Sequence, residues 1–390
     1  MTFPFDVTVA SSVRTAVGRA NKGTLRHTRP DDLAATAMQG ALDRVEGLDP
    51  AKIEDVILGC AFPEGEQGLN IARNAIFLTS LPATTSGETI NRFCASGLQA
   101  IAHGAMSVQS GIAEAILAGG VESMSSVPMG GNKVSLHPKL VDEQPEVYIG
   151  MGHTAERVAK RFDVSREDQD KFAAWSHDKA LKAIAEGKFE KEIVPVQARV
   201  FDGSSLSETE FKVDECPRAG TTAEGLAKLR PVFAAKGSVT AGNASPMNDG
   251  AAAAVLLSSK LAGEMGVKGL GKFRAFVTAG VDPDIMGIGP VPAIQKLLKL
   301  VDMKIDDIDL FEINEAFAAQ AVYCQRELGI SDDRINVNGG AIALGHPLGC
   351  TGAKLSATLL HEMERRDSKF GIVSMCIGGG MGAAGLFERT

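Results

Sequence analysis

Cys94 is the residue whose surroundings most directly suggest chemistry. It lies in the stretch NRFCASGL at 91–98, after an extended run around 84–90 and before an alanine-rich periodic helix over 98–108. A cysteine at such a strand-to-helix turn faces free N–H groups, which lower the pKa of a thiol and can bind a developing oxyanion. We therefore predict a nucleophilic cysteine with a lowered pKa. Taken alone, the pattern is also typical of a small buried cysteine.

His346 stands in the glycine-rich segment NGGAIALGHPLGCTG at 338–352. With little side-chain bulk around it, this histidine can come close to a substrate and either deprotonate Cys94 or donate to a substrate oxygen. The alternatives are a loop histidine that caps a helix and a loop that binds phosphate. The Walker pattern G-x-x-x-x-G-K-[ST], which would favour phosphate, is absent.

Cys376 begins a third motif, CIGGGMG at 376–382, which ends a predicted strand. A second cysteine can act as an acid or base, because the ordinary thiol pKa of about 8.5 is readily shifted. The glycines would expose backbone N–H groups as an oxyanion site. Without the other motifs, a core strand followed by a tight turn explains the same residues.

Asn314 opens a fourth motif, NEAF at 314–317. Its amide could orient a water molecule or donate a hydrogen bond. Asparagine is also a favoured N-cap, and residues 316–326 have a helical pattern, so the two interpretations stay open together.

An internal repeat indicates the elements that position these motifs. The segment KIEDVIL at 52–58 reads almost as KIDDIDL at 304–310, and each follows an apolar-periodic helix, at 33–42 and 291–300. Downstream, AILAGG at 115–120 pairs with IVSMCIGG at 372–379. Alternating helices and short apolar strands predict two similar layered α/β halves, with a site where they meet.

The segment 121–247 between these repeats is more polar and richer in charge. It contains a predicted helix that starts after Ser165, where the sequence resembles a capping signal, and runs to Glu186 before Gly187. We interpret this segment as an inserted domain. The run 248–259 returns to a core-like composition and is expected to rejoin the first half.

Length and composition exclude several classes of protein. The 390 residues predict two or three domains, and the net charge of -8 argues against a general nucleic-acid binder. The six cysteines form no C-x-x-C pair, so no metal site is expected. The longest apolar run, 251–257, is far shorter than the ~20 residues of a membrane span. Residues 1–14 lack a secretory pattern, so we expect a cytoplasmic protein.

The four motifs, in this order, resemble those of the thiolases, which are acyl-CoA C-acyltransferases of the thiolase superfamily. The resemblance covers essentially the whole chain. It implies a duplicated α/β fold with five-layered α/β/α/β/α halves and a loop domain that covers the site and binds coenzyme A. The first half would comprise 1–120 and 248–268, the loop domain 121–247, and the second half 269–390.

The resemblance also implies a role for each motif. Cys94 would carry the acyl group, and His346 would activate it and donate to the thioester oxygen. Cys376 would be the acid or base that moves the proton of the second substrate. Asn314 would hold the water of one oxyanion hole, and the N–H groups of Cys94 and Gly378 would form the other.

Coenzyme A would be a substrate, with no permanently bound cofactor. Arg218 matches a nucleotide-contacting arginine of the family, and Ser245 a serine beside the pantetheine. The other residues matched to the acyl and pantetheine groups are Met151, Phe233, Ala241 and Met286. Taken alone, methionine and phenylalanine are also typical of a core.

The motif context favours one subtype. Biosynthetic acetoacetyl-CoA thiolases carry a histidine just before the methionine that matches Met151, whereas this chain has Gly150 there and His153 two residues beyond. The Cys350-Thr351 pair and the residues around Cys94 look more like those of degradative 3-ketoacyl-CoA thiolases of β-oxidation. Biosynthetic condensation of two acetyl-CoA molecules is the alternative.

Two other classes were weighed. Ketosynthases and hydroxymethylglutaryl-CoA synthases of the superfamily lack a cysteine matching Cys376, which argues against them. A non-catalytic acyl-CoA or lipid carrier would bind ligand without becoming acylated on Cys94. The resemblance further implies a homodimer or homotetramer and association with a β-oxidation partner enzyme. The net charge and the short apolar runs predict no nucleic-acid or membrane partner.

Overall fold

A computed structural model describes residues 3–201 and 203–390. Its strands are β1 (Val7–Thr15), β2 (Gly18–Arg19), β3 (Asp55–Gly59), β4 (Ser86–Ile90), β5 (Ala115–Ser123), β6 (Ile193–Val194), β7 (Val196–Phe201), β8 (Leu206–Phe211), β9 (Asn248–Ser258), β10 (Gly271–Gly280), β11 (Leu310–Ile313), β12 (Phe370–Ile377) and β13 (Met381–Glu388).

The helices are α1 (Pro30–Leu42), α2 (Ile71–Ile76), α3 (Ser96–Gln109), α4 (Pro138–Glu143), α5 (Met151–Arg161), α6 (Arg166–Ala185), α7 (Ala223–Ala227), α8 (Ser259–Met265), α9 (Pro290–Val301), α10 (Ala318–Leu328), α11 (Ala341–Leu344) and α12 (Leu348–Arg366). Short 3₁₀ segments occur at Thr24–His27, Pro50–Lys52, Gly65–Gln67, Phe93–Ala95, Pro145–Tyr148, Pro283–Ile288 and Ile305–Asp307. Within the described residues, none of the helices is both long and apolar enough to span a membrane.

The predicted repeat is visible in the main sheet, whose strand order is β4-β3-β5-β9-β1-β10-β13-β12-β11. In the first half β3 and β5 are parallel, and β5, β9 and β1 follow antiparallel. In the second half β11 and β12 are parallel, and β12, β13 and β10 follow antiparallel. The halves join where Val7–Val9 of β1 pairs with Gly271–Phe273 of β10. The two copies therefore have the same order and the same directions.

Side chains that alternate along these strands face different cores. Ala115 and Leu117 of β5 pack with α1 and α2, whereas Ile116 lies in a central core with α3 and α12. Val373 of β12 joins the same central core, while Ile372 packs with α9 and α10. The layers therefore run helix, sheet, helix, sheet, helix. The predicted layered α/β fold is confirmed, with the five layers counted across both halves together.

The two central helices cross closely at their N-terminal turns. A Cβ atom on Gly352 of α12 would lie 2.3 Å from the backbone nitrogen of Leu98, and one on Gly97 of α3 would lie 2.7 Å from that of Ala353. Both distances are shorter than a van der Waals contact, so this crossing requires glycine on each helix. It brings together the segments that precede the two helices, which carry Cys94 and His346.

The chain leaves the main sheet between Ser123, where β5 ends, and Asn248, where β9 begins, apart from a short pairing of β6 with β1. In this stretch α6 packs against α7 and against α10 and α11 of the second half. The predicted helix after Ser165 is confirmed, because the Ser165 hydroxyl accepts a hydrogen bond from the N–H of Asp168 at the start of α6. The domain limits themselves stay predictions.

A fully buried ion cluster attaches this stretch to the rest of the protein. Arg14 of β1 lies 2.5 Å from the Glu192 carboxylate and donates two hydrogen bonds of 2.8 Å to Asp214. Thr358 of α12 donates to Glu192 at 2.9 Å. Because buried charges are tolerated only when they are paired, these contacts hold three parts of the chain in one arrangement.

We expect Arg14→Met to lower the free energy of unfolding by about 3–5 kcal/mol, because it leaves two buried carboxylates without their counter-ion. Urea denaturation followed by circular dichroism measures this. Lys171→Met, which removes an exposed ion pair with Glu167, should leave the midpoint unchanged. A loss below about 1 kcal/mol for Arg14→Met would contradict the expectation.

Candidate active site

Cys94 lies where the sequence predicts, in the turn between β4 and α3. The preceding residue, Phe93, has φ +42°, a left-handed conformation that strains a bulky residue. Two hydrogen bonds hold it there. The Phe93 N–H donates to Asn91 Oδ1 at 2.8 Å, and the Ser96 hydroxyl donates to the Phe93 carbonyl at 2.7 Å. The turn is therefore fixed before any substrate binds.

The predicted lowering of the Cys94 pKa is wrong for the resting protein. Burial raises the pKa of this thiol to about 12, although the backbone N–H groups of Gly378 and of Cys94 itself act in the opposite direction. The surrounding apolar side chains are Ala20, Ala61, Phe62, Met124 and Leu348. Desolvation outweighs the backbone donors here, so Cys94 needs a base to become a thiolate.

His346 has the hydrogen bonds of such a base. Its Nδ1 lies 2.6 Å from Thr351 Oγ1, whose own proton goes to the Pro347 carbonyl at 2.8 Å. The hydroxyl must therefore accept from Nδ1–H, which leaves the lone pair on Nε2. The Asn314 amide nitrogen lies 3.3 Å from that atom. Burial, and then repulsion by Lys354, lower the pKa of His346 to about 3, so the ring is neutral at rest.

Asn314 directly follows β11, and its N–H donates to the Ser374 carbonyl at 2.9 Å. Its side-chain Oδ1 is buried and has no hydrogen-bond partner in the described residues. A buried acceptor of this kind is normally satisfied by an ordered water molecule or a ligand. The N-cap interpretation is wrong, because α10 begins at Ala318 and its cap is Phe317.

Cys376 lies near the end of β12 and is completely buried. Burial raises its pKa, and the neighbouring Cys94 and Cys324 thiols raise it further. Two residues on, the N–H of Gly378 reaches the Cys94 sulfur. A Cβ at Gly378 would lie 3.4 Å from Met151 Sδ, so this position borders the apolar cluster described next. The structure thus brings the Cys94, Cys376 and Gly378 motifs together.

An apolar cluster surrounds Cys376 and includes the predicted Met151, Phe233 and Met286. Ala244 and Phe317 form a backbone bridge in the same region. Three side chains named from the family pattern therefore meet at one of the two thiols. Such a surface suits the apolar part of a substrate.

A cavity of about 100 Å³ is lined by the predicted Arg218 and Ala241. Ser245 lies between Ala244 and Pro246, both of which line it. Two basic side chains that the sequence analysis missed, Arg19 and His177, lie in the same wall. His177 Nδ1 accepts from the Arg218 N–H at 3.2 Å, and burial and then Arg218 lower the His177 pKa to about 4. The guanidinium groups of Arg19 and Arg218 in this wall suit the phosphates of a nucleotide-bearing substrate.

A larger cavity of about 510 Å³ lies elsewhere, between α6 and α10, and holds none of the predicted site residues. Its walls are Asp168, Lys171, Phe172, Trp175, Val322, Gln325, Arg326, Gly329, Ile330 and Asp332. We place the chemistry at the two thiols, because Cys94, Cys376 and the backbone donors meet there rather than in the larger space.

Glu122 and the role of Thr351 were not predicted from the sequence. Glu122 is completely buried near the end of β5, behind Cys94. The available signal was a lone acidic residue in the otherwise apolar run AILAGGV-E-S. A carboxylate at such a place is seldom left unpaired, and its partners are described below.

Two family models match the chain. The thiolase N-terminal domain matches residues 7–260, and the thiolase C-terminal domain matches residues 267–389. A 3-ketoacyl-CoA thiolase of Bacillus subtilis (strain 168) is 53% identical over 388 residues, which are 98% of this chain and 99% of the relative. The peroxisomal 3-ketoacyl-CoA thiolase 1 of Arabidopsis thaliana is 45% identical over 390 residues, covering 98% of this chain and 88% of the relative.

Solved structures agree with this match. The Bacillus anthracis acetyl-CoA acetyltransferase superposes with a TM-score of 0.91 at 42% identity and covers 100% of both chains. The human mitochondrial 3-ketoacyl-CoA thiolase superposes with a TM-score of 0.90 at 37% identity and covers 99% of both.

Proposed function

The chain belongs to the thiolase family and is an acyltransferase, and from this premise we propose that it cleaves 3-ketoacyl-CoA with coenzyme A. The products are acetyl-CoA and an acyl-CoA shortened by that unit, formed through an acyl group on Cys94. The observation that carries the proposal is the meeting of two buried thiols, Cys94 and Cys376, with the N–H of Gly378 on the Cys94 sulfur. The neutral imidazole of His346 stands two residues before Leu348, whose side chain packs in the same cluster as Cys94.

In the first half-reaction His346 Nε2 takes the proton of Cys94, and the thiolate attacks the 3-keto carbon. The N–H groups of Cys94 and Gly378 stabilise the resulting oxyanion. The bond between C2 and C3 then breaks, which leaves an acyl group on Cys94 and the enolate of acetyl-CoA. The thioester oxygen of that enolate faces the protonated Nε2 and a water held by Asn314, and Cys376 protonates C2.

In the second half-reaction the thiolate left on Cys376 takes the proton of incoming coenzyme A. The coenzyme A sulfur attacks the acyl carbonyl and displaces the Cys94 sulfur, which regains its proton from His346. Protons and electron pairs balance over the cycle. Because burial disfavours charge on all three groups at rest, the charges exist only while substrate is bound.

Degradation of 3-ketoacyl-CoA is the direction we favour, because relatives that carry that name reach 53% identity. Condensation of two acetyl-CoA molecules is the second candidate, favoured by the structural match to an acetyl-CoA acetyltransferase. Coenzyme A acts as a substrate, with its nucleotide part at Arg218 and its pantetheine near Ser245. A cytoplasmic location and a β-oxidation partner enzyme stay predictions.

The purified protein tests the proposal directly. Each member of a panel of 3-ketoacyl-CoA substrates of increasing chain length is mixed with coenzyme A, and loss of the 3-keto compound is followed beside condensation of acetyl-CoA. We expect thiolysis to be the faster reaction for at least one chain length. If no member of the panel is cleaved, the proposal is wrong.

We also propose that the protein is a homodimer that meets its second copy along β4. This strand is the last in the sheet, and within the described residues it pairs only with β3. Helix α2 packs against it, and the flanking side chains of Leu69, Phe77 and Leu78 are exposed to 94%, 60% and 54%. An open edge beside exposed apolar groups is typical of a surface covered by a partner.

Leu69→Asp should therefore convert the dimer to a monomer, because it places a charge in that interface. Multi-angle light scattering during gel filtration measures the mass. Leu206→Asp, at a position on the β7–β8 hairpin that is exposed to 67%, is the matched control and should keep the mass of the unmodified protein. A Leu69→Asp protein that stays dimeric would exclude this edge as the interface.

A further inference from the structure

Glu122 has a set of hydrogen bonds that the proposed reaction does not use. Its Oε2 accepts from the N–H of Ala61 and from the N–H of Gly349, each at 2.8 Å. Ala61 belongs to the first half and Gly349 to the first turn of α12 in the second half. One carboxylate oxygen therefore joins the two halves behind the site.

The other oxygen, Oε1, accepts from Gln67 Nε2 at 2.9 Å and from the Phe62 N–H at 3.3 Å. The Cys60 thiol lies 3.8 Å away. Every one of these partners is a donor, which is the pattern that an ionised carboxylate satisfies. Burial raises the Glu122 pKa, and the backbone and amide donors act against that rise.

The Glu122 carboxylate contacts the segments that lie next to Cys94 and His346 in the proposed site. Ala61 and Phe62 pack against Cys94, so they form the wall behind the nucleophile. Gly349 follows His346 by three residues and lies in the first turn of α12, the helix that follows the loop of the base. Glu122 thus accepts hydrogen bonds from the residues that hold Cys94 and His346 in place, but from neither of these two residues.

We propose that Glu122 is a positioning residue of the thiolase reaction, whose carboxylate holds the wall behind Cys94 and the first turn of α12 at a fixed separation. The inference rests on the proposed function. Proton transfer from Cys94 to His346 requires hydrogen-bond geometry, and a displacement of about 1 Å can slow a reaction about 10²-fold.

The carboxylate has a second effect that a purely structural group would lack. Its negative charge adds, after burial, to the raised pKa of the Cys94 thiol. The other titratable groups around this point include Cys60 and Cys350, which interact with Glu122, and Asp249 on the paired strand β9. Burial raises the pKa of both thiols and of Asp249. Asp249 is in turn held by the hydroxyls of Ser123 and Ser125.

Glu122→Gln and Glu122→Asp separate the two effects. Glutamine keeps the volume but removes the charge, and its NH₂ group must face two of the N–H donors. Aspartate keeps the charge but is one methylene shorter, so it cannot span both supports. We expect kcat to fall about 10²-fold in each, with little change in the KM for coenzyme A, because the coenzyme A cavity is untouched.

The rate at which iodoacetamide alkylates Cys94 in the absence of substrate, followed by mass spectrometry, measures how the charge of Glu122 affects the thiol. Alkylation should be faster than in the wild type for Glu122→Gln alone, because each unit by which the Cys94 pKa falls raises the thiolate fraction about tenfold. Glu362→Gln, which removes a buried carboxylate at the far end of α12, is the control and should keep both kcat and the alkylation rate.

Three results would overturn the inference. These are a wild-type kcat in Glu122→Gln, a wild-type kcat in Glu122→Asp, or a slow Glu122→Gln enzyme whose alkylation rate is unchanged. If Glu122→Gln does not fold, the kcat of Glu122→Asp decides. Thiolysis by the wild type is measured beside the variants. If the wild type shows no thiolysis, the proposed function is wrong. If the wild type is active and the Glu122 variants are unaffected, only the positioning role of Glu122 is wrong.

Discussion

Cys94→Ser should lower kcat for thiolysis by about 10⁴-fold or more, because it replaces the atom that carries the acyl group. A hydroxyl is far less acidic than a thiol, and the site already disfavours charge at this position, where burial raises the thiol pKa to about 12. Incubation of the wild type with acetyl-CoA should add one acetyl group to Cys94, detectable by mass spectrometry of the peptide that contains it. The serine variant should add none.

Cys324→Ala is the matched control for this substitution. Cys324 is also completely buried, but its thiol donates to the Gly287 carbonyl at 3.4 Å in the core of the second half. This variant should still acetylate Cys94, whereas its rate of thiolysis also reports the loss of a neighbour of Cys376. Thiolysis at wild-type rate by Cys94→Ser would refute the acyl-enzyme mechanism. Tight binding of acyl-CoA by a wild type that never becomes acetylated would favour a carrier.

His346→Gln should lower kcat by about 10³-fold and should change how acylation depends on pH. In the wild type the His346 pKa is lowered to about 3 and the Cys94 pKa is raised to about 12, so neither group titrates near neutral pH. The rate of Cys94 acylation by acetyl-CoA should therefore be flat there. Without the imidazole only solvent removes the proton, and the rate should rise about tenfold per pH unit, as the thiolate fraction does below the pKa.

Thr351→Val tests the hydrogen bond that selects the tautomer of His346. It removes the hydroxyl that accepts from Nδ1–H at 2.6 Å but keeps the size of the side chain and the imidazole itself. We expect kcat to fall about tenfold, which corresponds to the loss of one hydrogen bond, while the rate of Cys94 acylation stays independent of pH near neutrality.

For His346→Gln, a rate of Cys94 acylation that does not change with pH would show that another group deprotonates Cys94.

The layered fold was predictable because both halves carry the same local signals. The repeated segments at 52–58 and 304–310 lead into β3 and β11, which occupy corresponding places of the sheet, and the helices predicted at 33–42 and 291–300 are present. Motif order led to Cys94 and Cys376, whose thiols interact, and to His346, which contacts Asn314. Glycine-rich turns at strand ends are local features, and a sequence shows them directly.

The features of the site that could not be predicted from the sequence depend on contacts between distant segments of the chain. Burial of Cys94 comes from residues as far apart as Ala20 and Leu348, so the sign of its pKa shift could not be read from the helix that follows it. Glu122 receives donors from positions near 61 and at 349. Asn314 Oδ1, which has no hydrogen-bond partner among residues 3–201 and 203–390, was likewise not predicted, because the local pattern suggested a helix cap.

The glycine crossing of α3 and α12 joins two halves of a single chain that together form one active site. Neither half holds a complete site, since one supplies Cys94 and the other His346, Asn314 and Cys376. Covalent linkage gives each half a high effective concentration for the other, independent of how much protein is present. The catalytic assembly should therefore survive dilution that separates any copies of the whole chain.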